Sequence, residues 1–183
     1  LGDVYKRQDE YISDMVISGL DPKLSFLKMV EEKELPSDFV RSIKNFRIRG
    51  SSGKVNLALD GLPDFTCLPG EGHHHRGAIS ISPDFDYLEN AYDDAKYGNF
   101  SKRPFMDIIL PSVLDPEMAP PGKHVMSCFV QYAPYDLKGG WDDNKREAFG
   151  DAVVNALARY APNIKDIILH RQVLTPVSYT HLT

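Results

Sequence analysis

The sequence predicts an α+β domain, with a mixed, largely antiparallel sheet and helices packed mainly on one of its faces. After Gly53, segments with strand and helix patterns follow one another in the order β-β-α-β-β-α-β. Two pairs of strands are consecutive without a helix between them, which favours antiparallel pairing. The longest helical segment carries an apolar stripe at i, i+3 and i+4 spacing, which is typical of a helix that covers a sheet with one side.

The clearest strand pattern begins at Val55, where Val55, Leu57 and Leu59 alternate with polar or small residues. Residues 61–76 hold glycines, prolines and a histidine run, which indicates a surface loop. The residues from 105 to 110 are apolar enough for a strand buried on both faces. The remaining strands are predicted at 78–81, 126–132 and 164–174.

Two helices are predicted between these strands. The first is capped by Ser82-Pro83 and ends at Gly98, and the second follows Gly139-Gly140 and ends at Ala161-Pro162. The first is expected to turn inward the residues Phe85, Leu88, Ala91 and Ala95. The second is expected to turn inward the residues Phe149, Ala152, Val153, Ala156, Leu157 and Tyr160.

Residues 9–50 are predicted to form a segment separate from a domain at 51–176, because the glycines at 50 and 53 indicate a flexible break. This segment opens with a strand-length apolar run at 12–18. Asp21 and Pro22 then have the residue types of a helix N-cap and first position. A second helix is expected from Pro36, with an apolar face made of Phe39, Val40, Ile43 and Phe46.

The two ends have a foreign character. Residues 1–8 and 177–183 resemble translated sequencing-adapter reads that flank metagenomic fragments, and they are left out of the fold prediction. We therefore expect the genuine sequence to run from about Asp9 to Pro176, as an internal piece of a longer protein.

Composition excludes several classes of function. The net charge of −5 makes nucleic acid an unexpected partner, because such binding depends on neutralising phosphates with Lys and Arg. No apolar run approaches the roughly 20 residues of a membrane-spanning helix. Two separated cysteines, Cys67 and Cys128, fit a reduced protein. The expected location is the cytoplasm, or a peripheral position at a membrane.

Chemical motifs are scarce. The sequence contains no GxGxxG, Walker A or GxSxG pattern, so it offers no self-contained cofactor site. The run His73-His74-His75 is predicted to be a solvated loop, and no metal site is assigned, because consecutive imidazoles do not converge readily on one ion. Adjacent carboxylates on a helix diverge, so structural roles are expected for Asp93-Asp94 and Asp142-Asp143. His124 and His170 each stand alone, and structural roles are expected for them as well.

Aromatic residues near Gln131 are more informative. Phe129, Tyr132 and Tyr135 are suited to an apolar surface that carries hydroxyl groups. Met126 shares a predicted strand face with Tyr132, and the two are candidates for lining an apolar substrate pocket. Ordinary core packing is the alternative interpretation of the same pattern.

Five runs resemble one protein family. They are LDPKLSFLK (20–28), GKVNLALDGLP (53–63), LDPEMAPPGKH (114–124), FVQYAPY (129–135) and YAPNI (160–164). Together they are similar to the phytoene-dehydrogenase-related NAD(P)/FAD-dependent oxidoreductases, and the resemblance extends over nearly all of residues 9–176.

The resemblance implies two interleaved domains, of which this chain supplies the substrate-side one and the flavin domain lies in the same parent chain. It implies an FAD cofactor, with the backbone at Ser18, Gly19 and Leu20 close to it. The implied chemistry is hydride transfer between a small apolar substrate and the flavin ring. It nominates no catalytic acid or base and no oligomeric state, and it implies that the fragment alone is inactive. The alternative is a non-catalytic α+β module that binds a partner or a lipid.

Overall fold

The computed structural model describes residues 11–48 and 50–178. The chain divides into two compact units, one ending at Ile48 and the other following it. The assignment of 9–50 and 51–176 to functional domains stays a prediction. The adapter-like segments at 1–8 and 177–183 lie outside the described residues, except for residues 177 and 178.

The first unit contains short helices. Helix α1 spans Pro22–Leu24, and the Asp21 carboxylate caps it by accepting hydrogen bonds from Lys23 N and Leu24 N at 2.9 and 3.0 Å, as predicted. A π-helical turn (Ser25–Met29) and a 3₁₀ turn (Glu32–Glu34) follow. Helix α2 spans Ser37–Asn45 and buries Val40 and Ile43.

Two expectations for this unit are wrong. Residues 12–18 form no strand, and Ile12 and Ile17 are 94% and 91% exposed. A strand requires a neighbouring strand to satisfy its backbone, and no described strand pairs with this segment. Phe46 does not join the apolar face of α2, because it follows the last helical residue and is 53% exposed.

The second unit is built on a five-stranded sheet in which every pairing is antiparallel. The spatial order is β2-β3-β4-β1-β5. The strands are β1 Ser52–Leu59, β2 Ile79–Ile81, β3 Phe105–Ile109, β4 His124–Gln131 and β5 Ile168–Leu174. The predicted α+β class is confirmed, and so is the order of elements after Gly53, with one short helix added before the last strand.

Two long helices belong to this unit, α3 Phe85–Lys96 and α4 Asp143–Leu157, and a short helix, α5 Ile164–Ile167, precedes the last strand. The cap of α3 is Asp84 rather than Ser82, since the Asp84 carboxylate accepts from Tyr87 N at 2.7 Å. Helix α3 therefore starts at Phe85, which is 89% exposed rather than inward. The last strand starts at Ile168 and not at residue 164, because the residues before it form α5.

The core lies between one face of the sheet and the helices. Val55 and Leu57 of β1 pair with Cys128 and Met126 of β4, and all four side chains are at most 1% exposed. Phe149 of α4 is fully buried against them in the same cluster. Within the part of the chain that the structure describes, no helix has the length and apolar character needed to cross a membrane.

Helix α4 is fastened to β5 by an ion pair as well as by apolar contact. Arg171 of β5 donates to Asp151 and to Glu147 of α4, each at 2.7 Å. Burial alone lowers the pKa of the Arg171 guanidinium, but its hydrogen bonds to these two carboxylates raise that pKa overall. Gly150 allows this close approach, because a Cβ there would lie 2.7 Å from Val173 Cγ2.

Within the second unit, the side chains on the opposite face of the sheet are half-buried or exposed on every strand. Residues 105–110 were expected to be buried on both faces, and this is wrong. Met106 and Ile108 of β3 are fully buried, whereas Ile109, the last residue of the strand, is 48% exposed. The strand is therefore buried on one side only, and the helices lie on that side.

The two cysteines differ in a way that predicts different reactivity. Cys67 is exposed, whereas Cys128 is fully buried in β4, and burial raises the pKa of the Cys128 thiol to about 12. We expect a thiol reagent at pH 8 to label Cys67 rapidly and Cys128 at least about a hundredfold more slowly, because the thiolate is the nucleophile. Mass spectrometry of peptides from native and urea-unfolded protein measures this; equal labelling of both cysteines in native protein would contradict the packing.

Candidate functional site

The uncovered face of the sheet is the candidate site, and we call it the open face. Its side chains alternate along each strand with those of the core. The hydrogen-bonding register places Phe129 of β4 opposite Asp107 of β3 on one side and Lys54 of β1 on the other. The other members near its centre are Asn56 of β1, Ile109 of β3, Ser127 and Gln131 of β4 and Gln172 of β5.

Two apolar side chains stand on this face without joining the core. Phe129 is 43% exposed and Ile109 is 48% exposed, and neither packs against the buried cluster. A sheet face that only meets water usually carries polar residues at such positions. Phe129 and Ile109 are diagonal neighbours, because Phe129 pairs with Asp107 and Ile109 lies two residues further along β3, so they form one small apolar area within the polar face.

The polar residues of the open face are hydrogen-bonded to one another across the strands. The Ser127 hydroxyl donates to Asn56 Oδ1 at 2.9 Å, and Asn56 Nδ2 donates to Gln172 Oε1 at 3.0 Å. This chain of three side chains links β4, β1 and β5. Two further pairs lie on the same face: Gln131 with Ser52 at 3.1 Å, and Ser80 with Asp107.

The structure separates the two predicted pocket residues. Met126 is fully buried in the core, which is the alternative that the sequence left open. Tyr132 follows the end of β4 and is half-buried, and its ring meets that of Tyr92 of α3 with centroids 5.4 Å apart. Among the predicted aromatic residues, Phe129 is the one that stands on the open face. A direct role of Met126 and Tyr132 in substrate binding stays a prediction.

Sequence reasoning missed the polar members of the open face. The alternation around Val55 predicts only that Lys54 and Asn56 point away from the core. The signal that could have found them is the strand periodicity itself, since residues alternating with Val55 and Leu57 must share the other face. Their pairing with Ser127 and Gln172 depends on strand order and register, which the sequence does not display.

The three residues predicted to approach a cofactor lie in the first unit. Ser18, Gly19 and Leu20 precede α1, and all three are exposed. The Ser18 hydroxyl is hydrogen-bonded to the Ser25 hydroxyl at 2.7 Å and accepts from Leu20 N at 3.3 Å. A Cβ at Gly19 would meet nothing within 4 Å, so the backbone is accessible there. The assignment to a cofactor stays a prediction.

The histidine run differs from its predicted solvated state. His75 is 1% exposed, its Nε2 hydrogen-bonds to Pro63 O at 2.9 Å, and its Nδ1 accepts from Gly72 N at 3.3 Å. Because Nδ1 accepts, Nε2 carries the proton and donates. A buried histidine holds this loop together, since its imidazole replaces water as the partner of two backbone groups. Across residues 11–48 and 50–178, no group of three His, Cys, Asp or Glu side chains could hold a metal ion.

His74 next to it predicts a pH dependence. Its ring lies 3.9 Å from that of His75, and its Nε2 is buried without a hydrogen-bond partner in the described residues. Burial lowers the pKa of His74, the adjacent His75 lowers it further, and Asp64 raises it in part. The folded protein therefore takes up this proton less readily than the unfolded chain, whose histidines titrate near about 6.5.

A neutral His74 is compatible with its buried position, so we expect its full contribution to the free energy of unfolding above about pH 6.5, the pKa of the unfolded chain. This contribution should be lost as the pH falls from there through the lowered pKa of His74 in the folded protein. Urea unfolding at pH 7.5 and 5.5 measures the free-energy change. The variant His74→Gln should show a smaller loss between these pH values than the natural protein. His73→Gln is the matched control, because His73 is exposed. An unchanged pH dependence in His74→Gln would contradict the prediction.

Asp142, His124 and Asp93, three of the remaining polar candidates, have structural contacts. The Asp142 carboxylate caps α4 by accepting from Lys145 N at 2.7 Å. His124 Nδ1 hydrogen-bonds to the Ser112 hydroxyl at 3.2 Å, and this hydroxyl also accepts from Val125 N at 3.0 Å. Asp93 forms a 3.8 Å ion pair with Lys96 within α3.

Comparisons with known proteins identify relatives. No protein-family model matches the chain. The pyridine nucleotide-disulfide oxidoreductase domain-containing protein 2 of Mus musculus is 36% identical over 176 residues, which covers 92% of this chain and 30% of the mouse protein. The protein of the same name from Rattus norvegicus is 37% identical over 183 residues, covering 96% of this chain and 32% of the rat protein. Prolycopene isomerase 2 from an Oncidium hybrid cultivar is 26% identical, covering 93% of this chain and 27% of the isomerase.

Over nearly all of its length the chain is similar to proteins named as oxidoreductase domain-containing, and more weakly to a prolycopene isomerase. The resemblance predicted from the sequence motifs is thereby confirmed. The chain spans about a third of the length of these relatives, so the activity, substrates and partners of a whole protein are matters for proposal.

Proposed function

We propose that this chain supplies the substrate-side domain of an FAD-dependent oxidoreductase, which transfers hydride between an apolar substrate and the flavin. The observation that carries the proposal is the open face of the sheet. Helices cover one side, while the other exposes Phe129 and Ile109 among hydrogen-bonded polar groups. Such a face suits the wall of a substrate cavity that the rest of a longer protein would close.

In this proposal the two units have different tasks. Residues 9–50 carry the chain back from the flavin domain, and residues 51–176 present the open face to the substrate. The described residues include no glycine-rich turn that could cradle the phosphates of FAD. Anchoring of the flavin therefore falls to sequence outside this chain, and the exposed backbone at Ser18–Leu20 would only border it. We propose no activity for the chain by itself.

The open face can exclude water and orient a substrate, and these are the contributions that a flavin enzyme needs from its protein. Phe129 would contact apolar atoms, while the chain from Ser127 through Asn56 to Gln172 would fix the rotation of the bound molecule. The free thiols of Cys67 and Cys128 support the proposed location in the cytoplasm, where thiols stay reduced.

The test uses the complete parent protein, purified and examined for a flavin absorbance spectrum. We expect bound FAD, and we expect an apolar ligand such as biphenyl to perturb that spectrum. Phe129→Asp should weaken this binding about tenfold or more while the flavin content stays unchanged, because it places a charge where apolar atoms would be buried. Phe85→Asp, on an exposed position of α3, is the matched control and should leave the binding unchanged.

Absence of flavin from the complete protein would contradict the proposal. Flavin-free protein that still binds the apolar ligand through Phe129 would instead support a non-catalytic binding module. Equal effects of Phe129→Asp and Phe85→Asp would remove the open face from the binding site.

A further inference from the structure

The open face carries more hydrogen-bonding groups than a pure hydrocarbon ligand requires. The chain from Ser127 through Asn56 to Gln172 crosses three strands. The Ser127 hydroxyl donates to the carbonyl of Asn56, whose amide nitrogen donates to the carbonyl of Gln172. Each side-chain amide has two N–H groups, so this arrangement leaves one on Asn56 and two on Gln172 to be satisfied.

Those remaining donors face outward. Gln172 is exposed and Asn56 is half-exposed, and within 11–48 and 50–178 no group accepts a hydrogen bond from the Gln172 amide nitrogen. Water satisfies them while the face is open. A molecule that covered the face with carbon alone would strip that water and leave buried donors unpaired, which is unfavourable for binding.

An apolar contact point lies within reach of these donors. Phe129 is diagonal to Asn56 in the register, because Phe129 pairs with Lys54 and Asn56 lies two residues further along β1. Strand spacing of about 4.8 Å and a rise of about 3.4 Å per residue place the two side chains about 8 Å apart along the face. One molecule can therefore lie on the Phe129 ring and reach the Asn56 amide.

We propose that the ligand of the open face is an apolar molecule with an oxygen atom that accepts a hydrogen bond, about 8 Å from its apolar contact with Phe129. A hydroxyl, carbonyl or carboxylate group supplies such an oxygen, whereas an unsubstituted hydrocarbon does not. This inference rests on the proposed function only in assigning the open face to a small-molecule ligand, and it narrows the class of that ligand.

The test compares two probes of the same size, 4-phenylphenol and biphenyl, which differ in one hydroxyl group. Dissociation constants are measured by NMR titration of the 183-residue chain, following the side-chain amide signals of Asn56 and Gln172. We expect 4-phenylphenol to bind about tenfold more tightly than biphenyl, equivalent to one good hydrogen bond. The Asn56 amide signals should shift with the phenol and not with the hydrocarbon.

Two variants separate the polar from the apolar contribution. Asn56→Leu should bring the ratio of the two dissociation constants close to one, because it removes the amide that meets the oxygen. Gln172→Leu, at an exposed position where folding is disturbed less, keeps this amide and should keep the ratio at about tenfold. Phe85→Ala should leave both constants unchanged. Equal binding of both probes by the natural chain, or equal ratios in the two leucine variants, would overturn the inference. If the complete protein lacks flavin, the proposed redox function is wrong, but the about tenfold ratio of dissociation constants is still expected for this chain.

Discussion

Replacing Phe149 by alanine is expected to lower the free energy of unfolding by about 3–5 kcal/mol. Phe149 of α4 is fully buried, and its ring meets those of Phe100 and Trp141 at centroid distances of 5.6 and 5.8 Å. The truncation would leave a cavity between α4 and β1, because the two remaining aromatic side chains, Phe100 and Trp141, have a fixed shape and cannot collapse to fill it. Urea unfolding followed by circular dichroism measures the loss.

Phe85→Ala is the control for this measurement. It removes the same side chain from a position that is 89% exposed, so we expect a change within about 0.5 kcal/mol. Similar losses for both variants would show that the ring of Phe149 is not what fastens α4 to the sheet.

Gly53→Ala is expected to lower the free energy of unfolding by about 2–3 kcal/mol. A Cβ at Gly53 of β1 would lie 2.5 Å from Cε1 and 2.7 Å from Cζ of Phe149, and 3.1 Å from the backbone oxygen of Leu174. The ring cannot move aside because it is fully buried, and the oxygen belongs to the neighbouring strand β5. Thermal and urea unfolding both measure the effect.

A matched glycine provides the control. Gly77→Ala adds the same methyl group where nothing lies within 4 Å, with φ of −109°, and should change stability by less than about 0.5 kcal/mol. Combining Gly53→Ala with Phe149→Leu should cost less than the sum of the two single changes, because the smaller side chain makes room for the new methyl group. Strict additivity would show that the clash is relieved elsewhere.

Gly53 and Phe149 also connect the core to the open face. Gly53 precedes Lys54 in β1, and Asn56 follows two residues later on the same outward side. A shift of β1 away from Phe149 would displace the Asn56 amide from Ser127 and Gln172. Stability and ligand selectivity are therefore expected to change together in Gly53→Ala.

Elements with strong local signals were predictable. Three features favour one backbone conformation through a few neighbouring residues. They are the period-two alternation around Val55, the Asp21-Pro22 helix start, and Gly98, whose φ is +82°. Local preference failed where a partner decides the outcome. Residues 12–18 have the composition of a strand, but no described strand pairs with them. Asp84 caps α3 in place of Ser82, because the Asp84 carboxylate accepts a hydrogen bond from the helix backbone.

The sequence by itself determined the α+β class, the order of strands and helices after Gly53, and the similarity to oxidoreductase domain-containing proteins, because each depends on residue types along the chain. Only the tertiary structure decided which face of the sheet stays open, that Phe129 stands on it while Met126 is buried, and that Ser127, Asn56 and Gln172 form one hydrogen-bonded chain. The physical reason is register: which side chains of separate strands meet depends on pairing between residues that are distant along the chain, such as Asn56 and Gln172, which are 116 positions apart.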